Sequence, residues 1–277
     1  MTARRLLALL LLAASTAAAQ NAAQDYEKKL RDKAKQVLDQ CTEALGGQRF
    51  FAIRNRVEEG MMFSFYREQM NGLDHATVYV AYDTNPTPGK LSVRERESFG
   101  RPNKKNKEEF GADLFTRTEG YEITWRGARP LNKQTFDRYQ DSTLHDFFYI
   151  LLQRYHEPGM IFECLKSDIV DNRPADIVDI TDPENRVTSV YIDRFNHLPL
   201  RQVYRRRNEV TNDLNEEVTI FAKYRDVGGG VMWPFEITRT RDGERVFQKF
   251  ATSVKINQDL PESLFSLPSG IDILKSY

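Results

Sequence analysis

Four histidines, two cysteines and a balanced set of 40 basic and 40 acidic side chains are the chemically competent material of this 277-residue sequence. His75, His145, His156 and His197 are scattered, with no HExxH spacing and no second ligand at helical spacing. His145 followed by Asp146 has the composition of an acid–base pair. Adjacent residues on a helix point in different directions, however, and make no dyad by themselves. No GxSxG elbow is present for a serine nucleophile. Gly228, Gly229 and Gly230 lack the lysine that follows in a phosphate-binding loop, so the run reads as a turn. Carboxylates are abundant enough for a glycosidase-like pair in space, yet no spacing selects one. Cys41 and Cys164 both fall in regular apolar patterns; an oxidising compartment permits a bridge, and the context favours two buried thiols packed as small hydrophobes. Arg205, Arg206 and Arg207 form a local basic run. It reads as a wet strand edge that discourages aggregation, the alternative being contact with anionic headgroups or an acidic partner patch. No catalytic residue, metal ligand or cofactor is expected, and zero net charge gives no reason to expect nucleic acid.

The elements that carry these residues begin after residue 19. Arg4 and Arg5 precede an apolar run over residues 6–14, and Ala17, Ala18 and Ala19 supply small cleavage positions. Residues 1–19 therefore read as a signal peptide cleaved after Ala19, and residues 20–277 as a single exported domain. No later apolar run approaches a membrane-spanning length. Tyr26, Leu30, Ala34, Val37, Leu38, Cys41 and Leu45 make a stripe at spacings of three and four, an amphipathic helix ended by Gly46 and Gly47.

The period then changes to two. Val57, Met61, Phe63 and Phe65 share one parity of a strand, Asn71-Gly72 reads as a turn, and Val78, Val80 and Tyr82 mark a second strand. Residues 91–99 read as an edge or strongly wetted strand, 101–109 as a solvated lysine-rich loop, and Tyr121, Ile123 and Trp125 as another strand. Residues 141–155 read as a second helix, capped by Asp141 or Ser142 and apolar around much of its circumference, hence buried on more than one side. From residue 160 the pattern is an antiparallel meander of strands. It leads to residues 217–256, where Val218, Ile220, Ala222 and Tyr224 share a face. Val231, Trp233, Phe235 and Ile237 alternate with polar neighbours, and Asp242-Gly243 is a hairpin turn. A long strand with one polar and one apolar face needs a cover for the apolar one, and the second helix is the candidate.

Several segments together resemble LolA-like periplasmic lipoprotein carriers. Ala44, Leu45, Gly46 and Gly47, followed by Phe50, Ile53 and a strand opening Val57-Glu58-Glu59-Gly60, resemble the start of that family. Tyr224-Arg225-Asp226-Val227, the glycines after it, Trp233-Pro234, Val254-Lys255-Ile256-Asn257 and Leu264-Phe265-Ser266-Leu267-Pro268 resemble its end. The resemblance covers nearly the whole of residues 20–277 in layout, and its motifs are structural. It implies an α+β, mainly β fold: a strongly curved antiparallel half-barrel with helices covering the concave face. It also implies an apolar cavity between sheet and helices that takes lipid or lipoprotein acyl chains, and periplasmic location. The partners it implies are acyl chains with membrane-bound donor or acceptor proteins, the protein itself being a monomer.

No functional residue of that family is assigned to a position here, since several arginines could be aligned to the strand arginine that helps close its cavity. The expected cavity lining therefore comes from apolar residues of strands and helix: Met61, Phe63, Phe65, Val78, Val80, Trp125, Phe147, Phe148, Leu151, Met232 and Trp233. The competing functions are an envelope sensor or interaction module on the same scaffold, without lipid transport, and a secreted hydrolase using scattered carboxylates.

Overall fold

A computed structural model describes residues 2–100, 110–208 and 211–276, with side chains described from residue 20 onward. The lysine-rich segment 101–109 lies outside the described residues, as do the side chains of the leading segment 2–19. The strands are β1 (Asn55–Tyr66), β2 (Gln69–Tyr82), β3 (Val93–Phe99), β4 (Gly111–Phe115), β5 (Gly120–Thr124), β6 (Gly127–Pro130), β7 (Ile161–Val170), β8 (Arg173–Thr181), β9 (Val187–Asp193), β10 (Pro199–Arg207), β11 (Leu214–Asp226), β12 (Met232–Arg241) and β13 (Glu244–Ile256). The helices are α1 (Thr2–Leu45), α2 (Gln48–Phe51), α3 (Lys133–Leu144) and α4 (Phe147–Tyr149), the last running into a π turn, Ile150–Arg154.

All thirteen strands join one open antiparallel sheet, in the order β6-β5-β4-β3-β2-β1-β13-β12-β11-β10-β9-β8-β7. Two meanders, β1 to β6 and β7 to β13, meet where β1 pairs with β13. At that seam β1 and β13 approach too closely for a side chain: a Cβ on Gly60 would run into the Phe250 carbonyl oxygen. The register also slips there, between Glu59 and Gly60. A bulge of this kind changes which parity faces inward. Hence Phe247, Lys249 and Ala251 point inward on one side of it and Val254 on the other.

α1 lies on the β7–β8 end of the concave face. Ala34, Val37, Leu38, Cys41 and Leu45 pack against Val178, Ile180, Val190, Ile192 and Trp233, while Tyr26 stays exposed. Cys41 and Cys164 are both buried free thiols. The second helix departs from the sequence expectation. α3 starts at residue 133, capped by the Asn132 side chain, which accepts from Thr135 N at 2.8 Å. It ends at Leu144. Asp146 adopts an extended ψ of 123° and caps a fresh helix by accepting from Tyr149 N at 2.9 Å. An Asp that satisfies a new set of orphan N–H groups breaks a helix in two without any proline or glycine. The Phe147 amide donates to the buried Gln202 Oε1 at 2.8 Å, fixing the break to β10.

Three other local expectations are corrected. β3 lies inside the sheet between β2 and β4 rather than at its edge. The β1–β2 turn is Arg67-Glu68, both at positive φ, so Asn71 and Gly72 belong to β2. In β11 the inward residues are Glu217, Thr219 and Phe221, opposite in parity to Val218, Ile220 and Ala222; Lys223, at φ 54°, then shifts the strand so that Tyr224 packs on the core.

Candidate functional site

Where α3 covers the sheet, the two do not meet tightly. A cavity of about 410 Å³ lies between α3 and α4 above and β1, β2, β3, β4, β12 and β13 below. Register dictates its floor. Arg56 stands opposite Val80, Val80 opposite Glu95, and Glu95 opposite Phe115; in the next row Glu58 stands opposite Val78 and Val78 opposite Glu97. Met62 faces Lys249, which faces Ile237. From above, α3 contributes Arg138, Tyr139, Ser142 and Thr143, residues one turn apart on one helix face. The ring of Tyr139 stacks on Phe115 with centroids 3.8 Å apart.

The wall is therefore amphiphilic, in place of the apolar one expected from the sequence. Its deepest charge is Glu58, 1% exposed. Trp233 Nε1 donates to Glu58 at 2.8 Å, Lys249 Nζ donates to its other oxygen, and Arg56 pairs with it as well. Arg56 also donates to the Tyr82 hydroxyl at 2.6 Å and sits 4.5 Å from the centre of the Trp233 ring. Burial alone would push the Glu58 carboxyl up. The charges of Arg56 and Lys249, with the hydrogen bonds from Lys249 and Trp233, outweigh it and hold the group at about 2. Glu97 goes the other way: burial, then the charges of Glu95 and Asp113, push it up to about 8. The Tyr139 hydroxyl, 3.3 Å from Glu95, is raised well above its ordinary value, first by burial and then by the Glu95 charge. One cavity thus holds a paired ion cluster on β1 and β13 and, on β3, the carboxyl of Glu97 pushed up by burial and its acidic neighbours.

The eleven residues expected to line a cavity are distributed over four environments. Val78, Val80, Phe148 and Trp233 face this hollow. Phe147, Leu151 and Met232 belong to or abut the dry core beneath α1, and Leu151 also borders an outer groove with Leu152, Tyr155, Pro86 and Pro88. Met61, Phe63 and Phe65 are corrected to the outer face. There Phe63 meets Phe250 edge-on at 5.8 Å, and Arg245 lies over the Phe65 ring at 5.1 Å. Trp125 is corrected to a hairpin turn, 84% exposed, with Arg126 over its ring.

Sequence reasoning missed Arg56, Glu58, Met62, Glu95, Glu97, Arg138, Arg239 and Lys249. For β1 the available signal was the even series Arg56, Glu58, Gly60, Met62, which the aromatics of the odd series outweighed. His145 is buried, donates through Nδ1 to the Asp141 carbonyl oxygen at 2.8 Å, and stacks on Tyr204 with centroids 4.1 Å apart, so its partners are structural ones. Burial lowers its basicity.

No protein-family model matches the sequence, and no curated protein matches it. Solved structures do match its fold. A structure described as an outer membrane lipoprotein-sorting protein domain from Vibrio parahaemolyticus aligns with a TM-score of 0.54 at 10% identity, covering 86% of this chain and 97% of that one. A DUF1329 family protein from Desulfovibrio piger aligns with a TM-score of 0.54 at 11% identity, covering 84% and 97%. Identities this low speak for the path of the backbone and not for its side chains. With the open thirteen-stranded antiparallel sheet and its inlaid helices, they identify the architecture of this chain as the fold that these two structures share.

Proposed function

We propose that this chain is an exported, periplasmic carrier that holds an acyl chain of a lipid or lipoprotein in the hollow between α3 and the sheet. The observation that supports this reading is the unequal filling of the concave face: α1 packs its apolar stripe into a buried core over one half, and α3 leaves about 410 Å³ open over the other. That volume lies within the roughly 300–1,000 Å³ typical of small-molecule sites. Met62, Val78, Val80, Phe148, Trp233 and Ile237 give it an apolar floor, on which each buried methylene contributes about 0.8 kcal/mol. The leading segment, residues 1–19, is the export signal in this reading, and residues 20–277 form one carrier domain.

The cover is suited to movement. α3 touches the sheet side chiefly through Phe136, Tyr139 and Leu144, and its chain breaks at His145 and Asp146. α3 swings about that break to admit and release the chain, and the anchored Phe147 amide keeps α4 in place.

The experiment is native mass spectrometry of the mature protein purified from its own envelope, followed by organic extraction. The expected result is a bound mass that extracts as lipid or acylated peptide. A clean apo mass, with no uptake of an added fluorescent fatty acid, overturns the reading. Val80→Trp, which fills the floor of the hollow, is expected to abolish uptake while leaving the circular-dichroism spectrum unchanged.

A further inference from the structure

Beside the main cavity lies a smaller hollow of about 190 Å³, and the two share Arg138, Ser142, Asp146, Arg239 and Phe247. Its charged lining is unbalanced. Arg138, Arg206, Arg239 and Arg241 face it, against the carboxylates of Asp146 and Glu217. Both carboxylates are engaged. Glu217 accepts from Arg206 at 3.1 Å and from Arg241 at 2.6 Å, and Asp146 caps α4 through Tyr149 N. Arg138 from α3 and Arg239 from β12 are left without a paired carboxylate among the described residues, and both line the two hollows. Arg239 lies over the Phe247 ring, 5.4 Å from its centre.

Two guanidiniums that converge on one hollow, with further arginines behind them, form a fork suited to a carboxylate or phosphate, which each can bind through two parallel hydrogen bonds. The rest of the cavity reinforces the polarity. Glu95 and Glu97 stand on β3, separated from β12 by β2, β1 and β13. The Arg239 charge reaches Glu97 across the cavity, but burial and the charges of Glu95 and Asp113 act on that carboxyl more strongly. An anion is repelled from the β3 end and drawn to the arginine end, with the apolar floor of Met62, Val78 and Val80 between them.

We infer that Arg138 and Arg239 form the headgroup site of the carrier, and that its ligand is an anionic amphiphile: a carboxylate or phosphate held at the arginine end, the acyl chain lying in the adjoining cavity. This rests on the carrier reading. It assigns the ligand a charge, which that reading does not.

The test compares matched ligands on the full mature protein. A fatty acid is set against its methyl ester, and a monoacylglycerol phosphate against the monoacylglycerol, by displacement of a bound fluorescent amphiphile at low salt. Inorganic phosphate alone is a further arm. The anionic member of each pair is expected to bind about tenfold or more tighter, the effect of one to two charge-assisted hydrogen bonds. Added salt is expected to shrink that preference, and inorganic phosphate to leave the probe bound. In the double variant R138Q/R239Q the preference disappears while the neutral ligands bind as before. Neither arginine holds an ion pair among the described residues, so the urea midpoint of this variant is expected to match the parent. Equal binding of acid and ester by the parent protein overturns the headgroup site and leaves the carrier reading standing. Displacement of the probe by inorganic phosphate alone assigns the arginines to a free anion and overturns the amphiphile. If none of the acyl ligands binds, both readings fall together.

Discussion

The two halves of the concave face are built from the same antiparallel strands, yet one is solid and the other hollow. Under α1 the inward rows are mainly apolar: Val178, Ile180, Val190 and Ile192 meet Val37, Leu38, Cys41 and Leu45. Under α3 the inward rows carry Arg56, Glu58, Glu95, Glu97 and Lys249 among the valines, and the helix answers with Arg138, Ser142 and Thr143. A dry interface requires two apolar surfaces of matching shape. α3 offers a partly polar one, so the sheet beneath it keeps Glu58 paired with Arg56 and Lys249 and leaves space above them. The difference teaches that this fold makes room by changing the chemistry of a helix face and of a few strand positions, with the strand order untouched.

The sharpest way to break the comparison is to remove the charge that lets the hollow half stay folded. Glu58→Ala leaves Lys249 and Arg56 buried beside Trp233 without their shared carboxylate. The expected loss is about 3–5 kcal/mol, the cost of an uncompensated buried charge, read as a fall in the urea midpoint at pH 7. The parent protein should show the same interaction through acid. The Glu58 carboxyl sits at about 2 when folded, against its ordinary 4.5. Its contribution is complete above 4.5 and disappears as pH falls from there through 2. The variant should lack that component of the acid transition. If Glu58→Ala melts like the parent protein, the cluster is not what holds this half together.

A smaller effect sets the same substitution against itself in the two halves. Val178 is fully buried in the dry core, and Val78 is nearly as buried but has the cavity on one side. Truncating a side chain costs its transfer energy plus a penalty that grows with the void it leaves. Val78 already lacks packing partners on the cavity side, so less attraction is forfeited there. Val178→Ala is expected to cost about 2 kcal/mol and Val78→Ala about 1 kcal/mol, compared by urea denaturation. Equal losses would mean that the hollow closes in solution.

The same contrast explains what the sequence made readable. The α1 stripe belongs to the dry half, and the alternation of Val231, Trp233, Phe235 and Ile237 runs from that half to the floor of the hollow; both were legible from spacing alone. In the hollow half the rule that apolar residues point inward breaks down. Phe63 and Phe65 face outward while Arg56, Glu58 and Met62 face the cavity, and β11 turns Glu217 and Thr219 inward in place of Val218 and Ile220. Apolarity is a poor guide to direction wherever the covered face lines a charged space. Bulges hid the rest: the slip at Gly60 and the positive φ of Lys223 switch parity in mid-strand, with only a glycine to mark the first and nothing to mark the second. The helix break depended on Asp146, whose capping role in sequence was indistinguishable from an ordinary helix-surface aspartate. β4 was missed because Gly111–Phe115 is short and carries Asp113 at its centre.

The smallest effect lies inside the hollow half, where two inward carboxylates answer pH with opposite signs. Glu97 is pushed up to about 8 by burial and by the charges of Glu95 and Asp113. Below 4.5 it is protonated in both folded and unfolded chains, and its favourable state is fully retained. Between 4.5 and 8 the unfolded chain sheds the proton that the folded one keeps, so stability falls as pH rises through that window. Glu97→Gln holds the position neutral at every pH. It should match the parent protein at pH 4 and exceed it at pH 9, by on the order of 1 kcal/mol once water in the cavity screens the charges. Urea midpoints across pH 4–9 measure this directly. Parallel curves for the two proteins would mean that Glu97 is solvated and charged at neutral pH. The acidic end of the cavity would then carry two full negative charges, and the contrast between its β3 and β12 ends would be stronger still.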